Sequence, residues 1–157
     1  MILVAEDDED DRLLIGAALA RTACPPDVRY VTDGRELLDY LCRRGTWSDP
    51  QGSPVPDLVL LDLNMPRMSG RDALCVLKQD PAFRCLPIVV FTTSDDARDV
   101  KASYEAGANA FVTKPSTLAE LSRALAAIAD FWLAVARSPV EGARVEARSA
   151  AIPRPPR

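Results

Sequence analysis

Short apolar runs alternate with helical patterns along most of this chain, and the alternation constrains its fold more than any other feature. The five runs occupy residues 1–5, 28–32, 58–63, 86–92 and 109–113. Runs of this length with few polar interruptions are typical of strands buried on both faces, and a helix between two strands makes them parallel. The sequence therefore predicts an α/β fold, with a doubly wound five-stranded parallel sheet and five helices on its two faces.

The chain of 157 residues divides into a folded part and a tail. Residues 1–137 contain all the alternating elements and predict one domain with an extended last helix. Residues 138–157 contain four prolines and almost no large apolar side chains, so they predict a flexible tail. A Gly-, Pro- and Ser-rich stretch at residues 45–56 predicts a long loop inside the domain.

Composition excludes several classes of function. The chain has no histidine, which removes Ser-His-Asp triads and His-ligated zinc. A net charge of -4 gives no basic field for nucleic acid. No apolar run approaches the roughly 18 residues of a membrane helix, and the first residues do not resemble an export signal. We expect a cytoplasmic protein that binds neither nucleic acid nor membrane, with its four cysteines reduced.

Polar residues follow four of the predicted strands. They are Glu6, Asp7 and Asp8 after the first strand, Asp62 at the third, Thr92 and Thr93 at the fourth, and Lys114 and Pro115 after the fifth. Ligands of parallel α/β sheets bind at the carboxyl ends of the strands. Converging carboxylates repel one another, so the pattern predicts a hard divalent cation such as Mg²⁺, with Lys114 as a second positive charge. The alternative is a solvated acidic helix start, although Asp10 and Asp11 satisfy the helix dipole by themselves.

The segment LVLLDLNMPRMSG (58–70) is the most specific motif. Together with Glu6-Asp7, Thr92 and Lys114-Pro115, it resembles the receiver domain of bacterial two-component response regulators. The resemblance implies a CheY-like, flavodoxin-like sandwich with strand order 2-1-3-4-5. It also implies that Asp62 is the phosphorylated residue.

The resemblance assigns further roles around Asp62. It implies that Asp7, Asp62 and the main-chain carbonyl of Asn64 bind Mg²⁺ (or Mn²⁺ or Ca²⁺ in its place), and that Glu6 holds a metal-bound water. Lys114 would pair with the Asp62 carboxylate before transfer and with the phosphoryl group afterwards. Pro66 and Gly70 would stiffen the loop after Asp62, and a cis Lys114–Pro115 bond would aim Lys114.

The same resemblance implies a signalling mechanism. A sensor histidine kinase would donate the phosphoryl group, so the protein would support its own phosphorylation and dephosphorylation without acting as an enzyme on other substrates. Thr92, with Thr93 beside it, would contact the phosphoryl group, and Phe111 would turn inward to fill the space. The face formed by helix four, strand five and helix five would then change. Asn64 and Ser94, being small and uncharged, predict that water reaches the phosphoryl group.

The last predicted helix, residues 117–136, is longer than the sheet needs. Its apolar positions predict packing on the sheet for the first turns and an exposed apolar patch at the end. We expect a homodimer through this helix. The candidate interface residues are Leu125, Ile128, Phe131, Trp132 and Leu133.

Three segments narrow the resemblance. The loop 45–56, the sequence FTTS (91–94) and the ending DFWLAVARSP (130–139) resemble small single-domain regulators paired with bacterial phytochromes. This similarity implies a phytochrome-type histidine kinase as the partner. Asp8-Glu9 replaces the family's usual Asn or Pro after the acidic pair.

Other functions remain open at this point. A phosphate sink without an output surface would use the same site. An Mg²⁺-dependent aspartyl-phosphate phosphohydrolase also combines Asp, Thr and Lys, although its nucleophile usually follows the first strand. An FMN electron carrier shares the fold, but the acidic EDDEDD segment (6–11) would repel its phosphate.

Overall fold

A five-stranded parallel sheet in the order β2-β1-β3-β4-β5 forms the centre of the protein. The computed structural model describes residues 1–137, and the tail predicted at residues 138–157 lies outside them. The strands are β1 (Ile2–Ala5), β2 (Val28–Val31), β3 (Leu58–Leu61), β4 (Ile88–Thr92) and β5 (Ala110–Thr113). The helices are α1 (Glu9–Leu19), α2 (Gly34–Leu41), α3 (Gly70–Gln79), α4 (Ala97–Glu105) and α5 (Leu118–Asp130). The predicted fold class and strand order are confirmed.

Every one of these five helices begins at a residue whose side chain accepts a hydrogen bond from a backbone N–H in the first turn. The capping residues are Asp8, Asp33, Ser69, Asp96 and Thr117. Such caps satisfy N–H groups that have no partner within the helix. Because each helix follows a strand, the caps fix where the chain turns at the carboxyl edge of the sheet.

The central strands are buried on both faces, and their side chains alternate between two cores. Leu3 and Ala5 point into one core, between the sheet and helices α2 and α3. Ile2 and Val4 point into the other, between the sheet and helices α1 and α5. Side chains two residues apart on a strand share a face, so the all-apolar runs supply both cores at once. The sheet is therefore a rigid base for the side chains at its carboxyl edge.

The end of the last helix differs from the prediction of one regular helix. After Asp130 the chain forms a π-helical turn, Phe131–Val135, in which the Ala136 N–H donates to the Phe131 carbonyl oxygen at 2.7 Å. Such a turn is wider than an α-helical one and changes the direction of the side chains that follow it. The sequence carries no signature that separates an α-helical from a π-helical end here, because the difference depends on packing against the sheet.

The candidate interface residues separate into three groups. Leu125 is fully buried in the core, so including it in an interface was wrong. Ile128, Trp132 and Leu133 are partly buried and pack against the same core. Phe131 remains 51% exposed.

Within the described residues, no helix combines the length and the apolar character that a membrane crossing requires.

Candidate functional site

Three carboxylates meet at the carboxyl edge of the sheet. Glu6 and Asp7 follow β1 and Asp62 follows the neighbouring strand β3, where the Asp62 N–H donates to the Ala5 carbonyl oxygen at 3.0 Å. One oxygen from each of the three acids lies within 4.8 Å of the other two. Glu6 and Asp62 are buried, whereas Asp7 is exposed. The adjacent strands thus bring together the acids that the sequence predicted to converge.

Asp62 carries the most unusual group in this cluster. Its Oδ1 atom is buried and has no hydrogen-bond partner. Burying a carboxylate oxygen without a partner costs free energy, and the nearby acids increase that cost. A divalent cation that prefers oxygen ligands would satisfy this atom and offset the repulsion. The donor set and the unpartnered oxygen therefore fit a Mg²⁺-type ion, with the Asn64 backbone two residues further along the same loop.

Lys114 reaches the cluster from the end of β5 and is 8% exposed. Its Nζ lies 2.5 Å from Glu6 Oε2, 2.6 Å from Asp11 Oδ2 and 3.8 Å from Asp62 Oδ2. The predicted pairing with Asp62 is thus the longest of the three contacts. The close partners are Glu6 and Asp11.

Burial and pairing act in opposite directions on this lysine and its partner. Burial lowers the pKa of Lys114, but hydrogen bonds to Asp11 and Glu6 and the charge of Asp62 outweigh it, so the pKa rises overall. Burial raises the pKa of Glu6, and the opposing Lys114 contact only partly compensates. The ammonium group is therefore firmly protonated at neutral pH. It supplies a permanent positive charge beside Asp62.

Gly70 lets the loop after Asp62 close tightly. Its N–H donates to the Leu63 carbonyl oxygen at 3.0 Å. A side chain at this position would collide with the carbonyl oxygen of Asp62, which only glycine avoids. Pro66 lies exposed on the same loop, and Arg67 after it has φ 61° and pairs with the buried Asp33. The loop is thus fixed at both its middle and its end.

Thr92 ends β4 beside the cluster. Its side chain is fully buried, and its Oγ1 accepts a hydrogen bond from the Ser94 N–H at 3.4 Å. Thr93 is exposed. Phe111 on β5 is partly buried against the core between the sheet and helices α2 and α3. These positions are compatible with the roles that the resemblance implied.

The Lys114–Pro115 bond differs from the expectation. No cis peptide bond occurs within residues 1–137, so the cis bond implied by the resemblance is not found. The backbone of Lys114 is held by its N–H, which donates to the Thr92 carbonyl oxygen at 2.7 Å. This contact ties the lysine to the strand that carries the buried hydroxyl.

Comparison with known proteins places this site in a family. Residues 2–126 match the response regulator receiver domain family. The chain belongs to that family.

Relatives of this receiver include phytochrome response regulators. It is 36% identical over 133 residues to the response regulator Rcp1 of Synechocystis, covering 85% of this chain and 88% of Rcp1. The crystal structure of Mn(2+)-bound Rcp1 matches with a TM-score of 0.79 and 36% identity, covering 88% of this chain and 97% of that one.

Two further solved structures are similarly close. Phosphorylated RcpA, a cyanobacterial phytochrome response regulator, has a TM-score of 0.81 and 38% identity, with 88% of this chain and 96% of RcpA covered. The response regulator RPA3017, in red light signaling of R. palustris, has a TM-score of 0.83 and 38% identity, with the same coverage. This receiver is therefore related to phytochrome response regulators.

Sequence reasoning missed two residues of α1 that complete the site. The sequence favours a role for Asp11 in satisfying the helix dipole, yet its carboxylate contacts Lys114. Arg12 donates from Nη1 to the carbonyl oxygens of Glu6 and Asp7, both at 2.8 Å. Both residues follow the Asp8 cap within one turn, so their side chains can reach back towards the end of β1. The short distance along the chain from Asp8 is the sequence feature that could have indicated these contacts.

Proposed function

We propose that Asp62 accepts a phosphoryl group from a sensor histidine kinase. The observation that carries the proposal is the buried, unpartnered Oδ1 of Asp62 beside two further acids and the protonated Lys114. A carboxylate in these surroundings is an available nucleophile, and a cation can neutralise the charge that arrives with the phosphoryl group. The absence of histidine from the chain agrees with a donor histidine on another protein.

The transfer needs no reactant other than the Asp62 carboxylate and the donor phosphohistidine. An Asp62 carboxylate oxygen forms a bond to phosphorus while the P–N bond of the donor phosphohistidine breaks. The departing histidine nitrogen keeps the electron pair and takes a proton from the surroundings. The product on this chain is an aspartyl phosphate, and the donor returns to ordinary histidine.

Asp7, Asp62 and the Asn64 carbonyl would hold Mg²⁺, and Glu6 would hold one of its water ligands. When bound, Mg²⁺ neutralises negative charge on the phosphoryl oxygens during transfer. The structure of Mn(2+)-bound Rcp1 supports a divalent ion in this relative. The phosphorylated state of RcpA supports the same chemistry here.

Lys114 and Thr92 would respond to the new group. The phosphoryl group adds about 1.5–2 negative charges at neutral pH. Lys114 would contact it in exchange for part of its pairing with Glu6 and Asp11. The Thr92 hydroxyl would leave the Ser94 N–H and donate to a phosphoryl oxygen, and Phe111 would fill the vacated space. The face of α4, β5 and α5 would thereby carry the signal.

The donor we propose is a phytochrome-type histidine kinase. RcpA is a phytochrome response regulator and RPA3017 belongs to red light signaling, which supports this choice. We further propose that the receiver works in the cytoplasm as a homodimer through the exposed Phe131 and its neighbours Ile128, Trp132 and Leu133. Exposed aromatic surface of this kind usually marks an interface.

Phosphotransfer from a purified phytochrome-type kinase tests the whole assignment. We expect the label to pass from the kinase histidine to this protein in the presence of Mg²⁺, and not to pass to Asp62→Asn. Transfer to other receivers but not to this one would contradict the choice of kinase. Equal labelling of Asp62→Asn would contradict the acceptor. Hydrolysis of small phosphate esters over many turnovers would favour the phosphohydrolase instead.

A further inference from the structure

Arg71 links the two loops that frame the site. Its Nη2 donates to Asp99 Oδ2 at 2.7 Å, and its Nη1 makes a longer contact of 3.4 Å with Asn64 Oδ1. Arg71 lies in the first turn of α3, and Asp99 lies in the first turn of α4. The pair therefore ties the start of the helix after Asp62 to the start of the helix after Thr92.

Asp99 has a second close partner. The Ser94 hydroxyl donates to the same Oδ2 atom at 2.6 Å. Hydrogen bonds from Ser94 and Arg71 hold the pKa of Asp99 below its usual value, so this carboxylate is ionised at neutral pH. Hydrogen bonds to an ionised acceptor are stronger than neutral ones. Asp99 is thus a charged junction between α3 and the loop that follows β4.

Ser94 is held at all three of its polar groups. Besides the hydroxyl contact with Asp99, its N–H donates to Thr92 Oγ1 at 3.4 Å. Its carbonyl oxygen accepts from Thr113 Oγ1 at 3.3 Å. The contact with Asp99 is much the shortest of the three. The shortest contact of Ser94 is therefore with the carboxylate that Arg71 also contacts.

We propose that Arg71 is a positioning residue that holds this loop, through Asp99 and Ser94, in the conformation that keeps the Thr92 hydroxyl away from a phosphoryl group on Asp62. Arg71 has this role only if Asp62 is the acceptor proposed above. When Thr92 turns towards Asp62, it gives up the Ser94 N–H, and movement of the loop pulls Ser94 from Asp99. Contacts present only in the unphosphorylated conformation oppose the change.

The consequence is a population shift. Loss of the Arg71–Asp99 contact removes stabilisation from the unphosphorylated conformation alone. The conformation that binds a phosphoryl group then becomes easier to reach, and the apparent affinity for such a group rises. Partly exposed ion pairs contribute little individually, so we expect a rise of about two- to fivefold.

Affinity for beryllofluoride, a phosphoryl analogue, tests this role at saturating Mg²⁺. Arg71→Met and Asp99→Asn change the local charge in opposite directions. A positioning role predicts that both substitutions tighten beryllofluoride binding. A simple effect of charge on an anion predicts that Arg71→Met weakens it. Tighter binding by Arg71→Met therefore supports the proposal, and unchanged or weaker binding overturns it.

Two more variants define the network. Ser94→Ala removes the hydroxyl contact with Asp99 and is also expected to tighten binding. The double variant Arg71→Met/Asp99→Asn is expected to bind no more tightly than the better single variant, because both substitutions remove the same Arg71–Asp99 contact. Fully additive effects would contradict a shared contact. Arg98→Met is the matched control, since Arg98 on α4 pairs with Asp96 at the surface and its loss should leave the affinity unchanged.

A spectroscopic measurement separates positioning from a change in the binding surface. We expect the Thr92–Ser94 amide resonances of Arg71→Met, without beryllofluoride, to lie part-way towards those of the wild-type beryllofluoride complex. Resonances that stay at their wild-type free positions would overturn the positioning role. Wild-type protein that fails to bind beryllofluoride with Mg²⁺ would contradict the function proposed for Asp62. Wild-type binding with an unaltered Arg71→Met would contradict the role of Arg71 alone.

Discussion

The ammonium group of Lys114 lies 2.5 Å from a carboxylate oxygen of Glu6, and both side chains are buried. Each charge is acceptable inside the protein because the other is present, and Asp62 adds a second buried negative charge 3.8 Å from the lysine. Lys114 is therefore a structural requirement of the folded state as well as a candidate ligand for the phosphoryl group. The two roles can be separated by experiment.

Lys114→Met should destabilise the fold by about 2–4 kcal/mol, because it leaves two buried acids without their positive partner. The free energy of unfolding in urea at neutral pH measures this effect. Lys101→Met is the matched control, since Lys101 pairs with Glu105 at the surface and its loss should cost less than about 0.5 kcal/mol. Equal losses in the two variants would contradict the buried pairing.

Mg²⁺ should stabilise the protein through the acidic cluster. At a free concentration 100 times the dissociation constant, ligand linkage adds about 2.7 kcal/mol to the free energy of unfolding. Asp7→Asn should lose most of this gain, whereas Asp10→Asn, on the exposed first turn of α1, should keep it. Thermal unfolding with and without Mg²⁺ measures both. A gain that survives in Asp7→Asn would place the ion elsewhere.

Gly70→Ala should displace the backbone of Asp62, because the new Cβ meets its carbonyl oxygen. We expect a loss of about 2 kcal/mol or more in the free energy of unfolding and slower phosphorylation by acetyl phosphate. Gly52→Ala is the control, since a Cβ there makes only ordinary contacts. Similar stability of the two variants would show that the loop after Asp62 can move freely.

Phe131→Glu should weaken the proposed homodimer, because it introduces a charge into exposed apolar surface. Sedimentation at micromolar concentrations should show a dimer for the wild type and a monomer for this variant. Leu13→Glu provides the comparison: Leu13 is 65% exposed near the start of α1, and the substitution should leave the dimer intact. Wild-type protein that sediments as a monomer would refute the proposed homodimer.

The sheet and the residues at its strand ends could be predicted because they follow from local patterns. Apolar runs fix the strands, and the carboxyl edge of a parallel sheet gathers whatever follows them, so Glu6, Asp7 and Asp62 could be expected to meet. Helix residues whose side chains reach another element could not be placed in the same way. Asp11 looked like an ordinary acid of a first turn, yet its partner Lys114 is 103 residues away.

The contact of Arg71 and the shape of the end of α5 could not be predicted from the sequence for the same reason. The contact between Arg71 and Asp99 depends on how α3 and α4 sit at the edge of the sheet, which spacing along the chain does not specify. Likewise, the apolar spacing from Leu118 onwards is compatible with one regular helix. The π-helical turn at Phe131 arises in the packed structure, where Trp132 and Leu133 both contact the core.

Phosphorylation of the intact protein by acetyl phosphate tests the central claim most directly. With Mg²⁺ present, mass spectrometry should find one phosphoryl group, labile in alkali, on the wild type and none on Asp62→Asn. Removal of the metal with a chelator should prevent the wild-type modification. A wild-type protein that binds Mg²⁺ but acquires no phosphoryl group, or an Asp62→Asn variant that is modified to the same extent, would contradict the assignment of Asp62 as the acceptor.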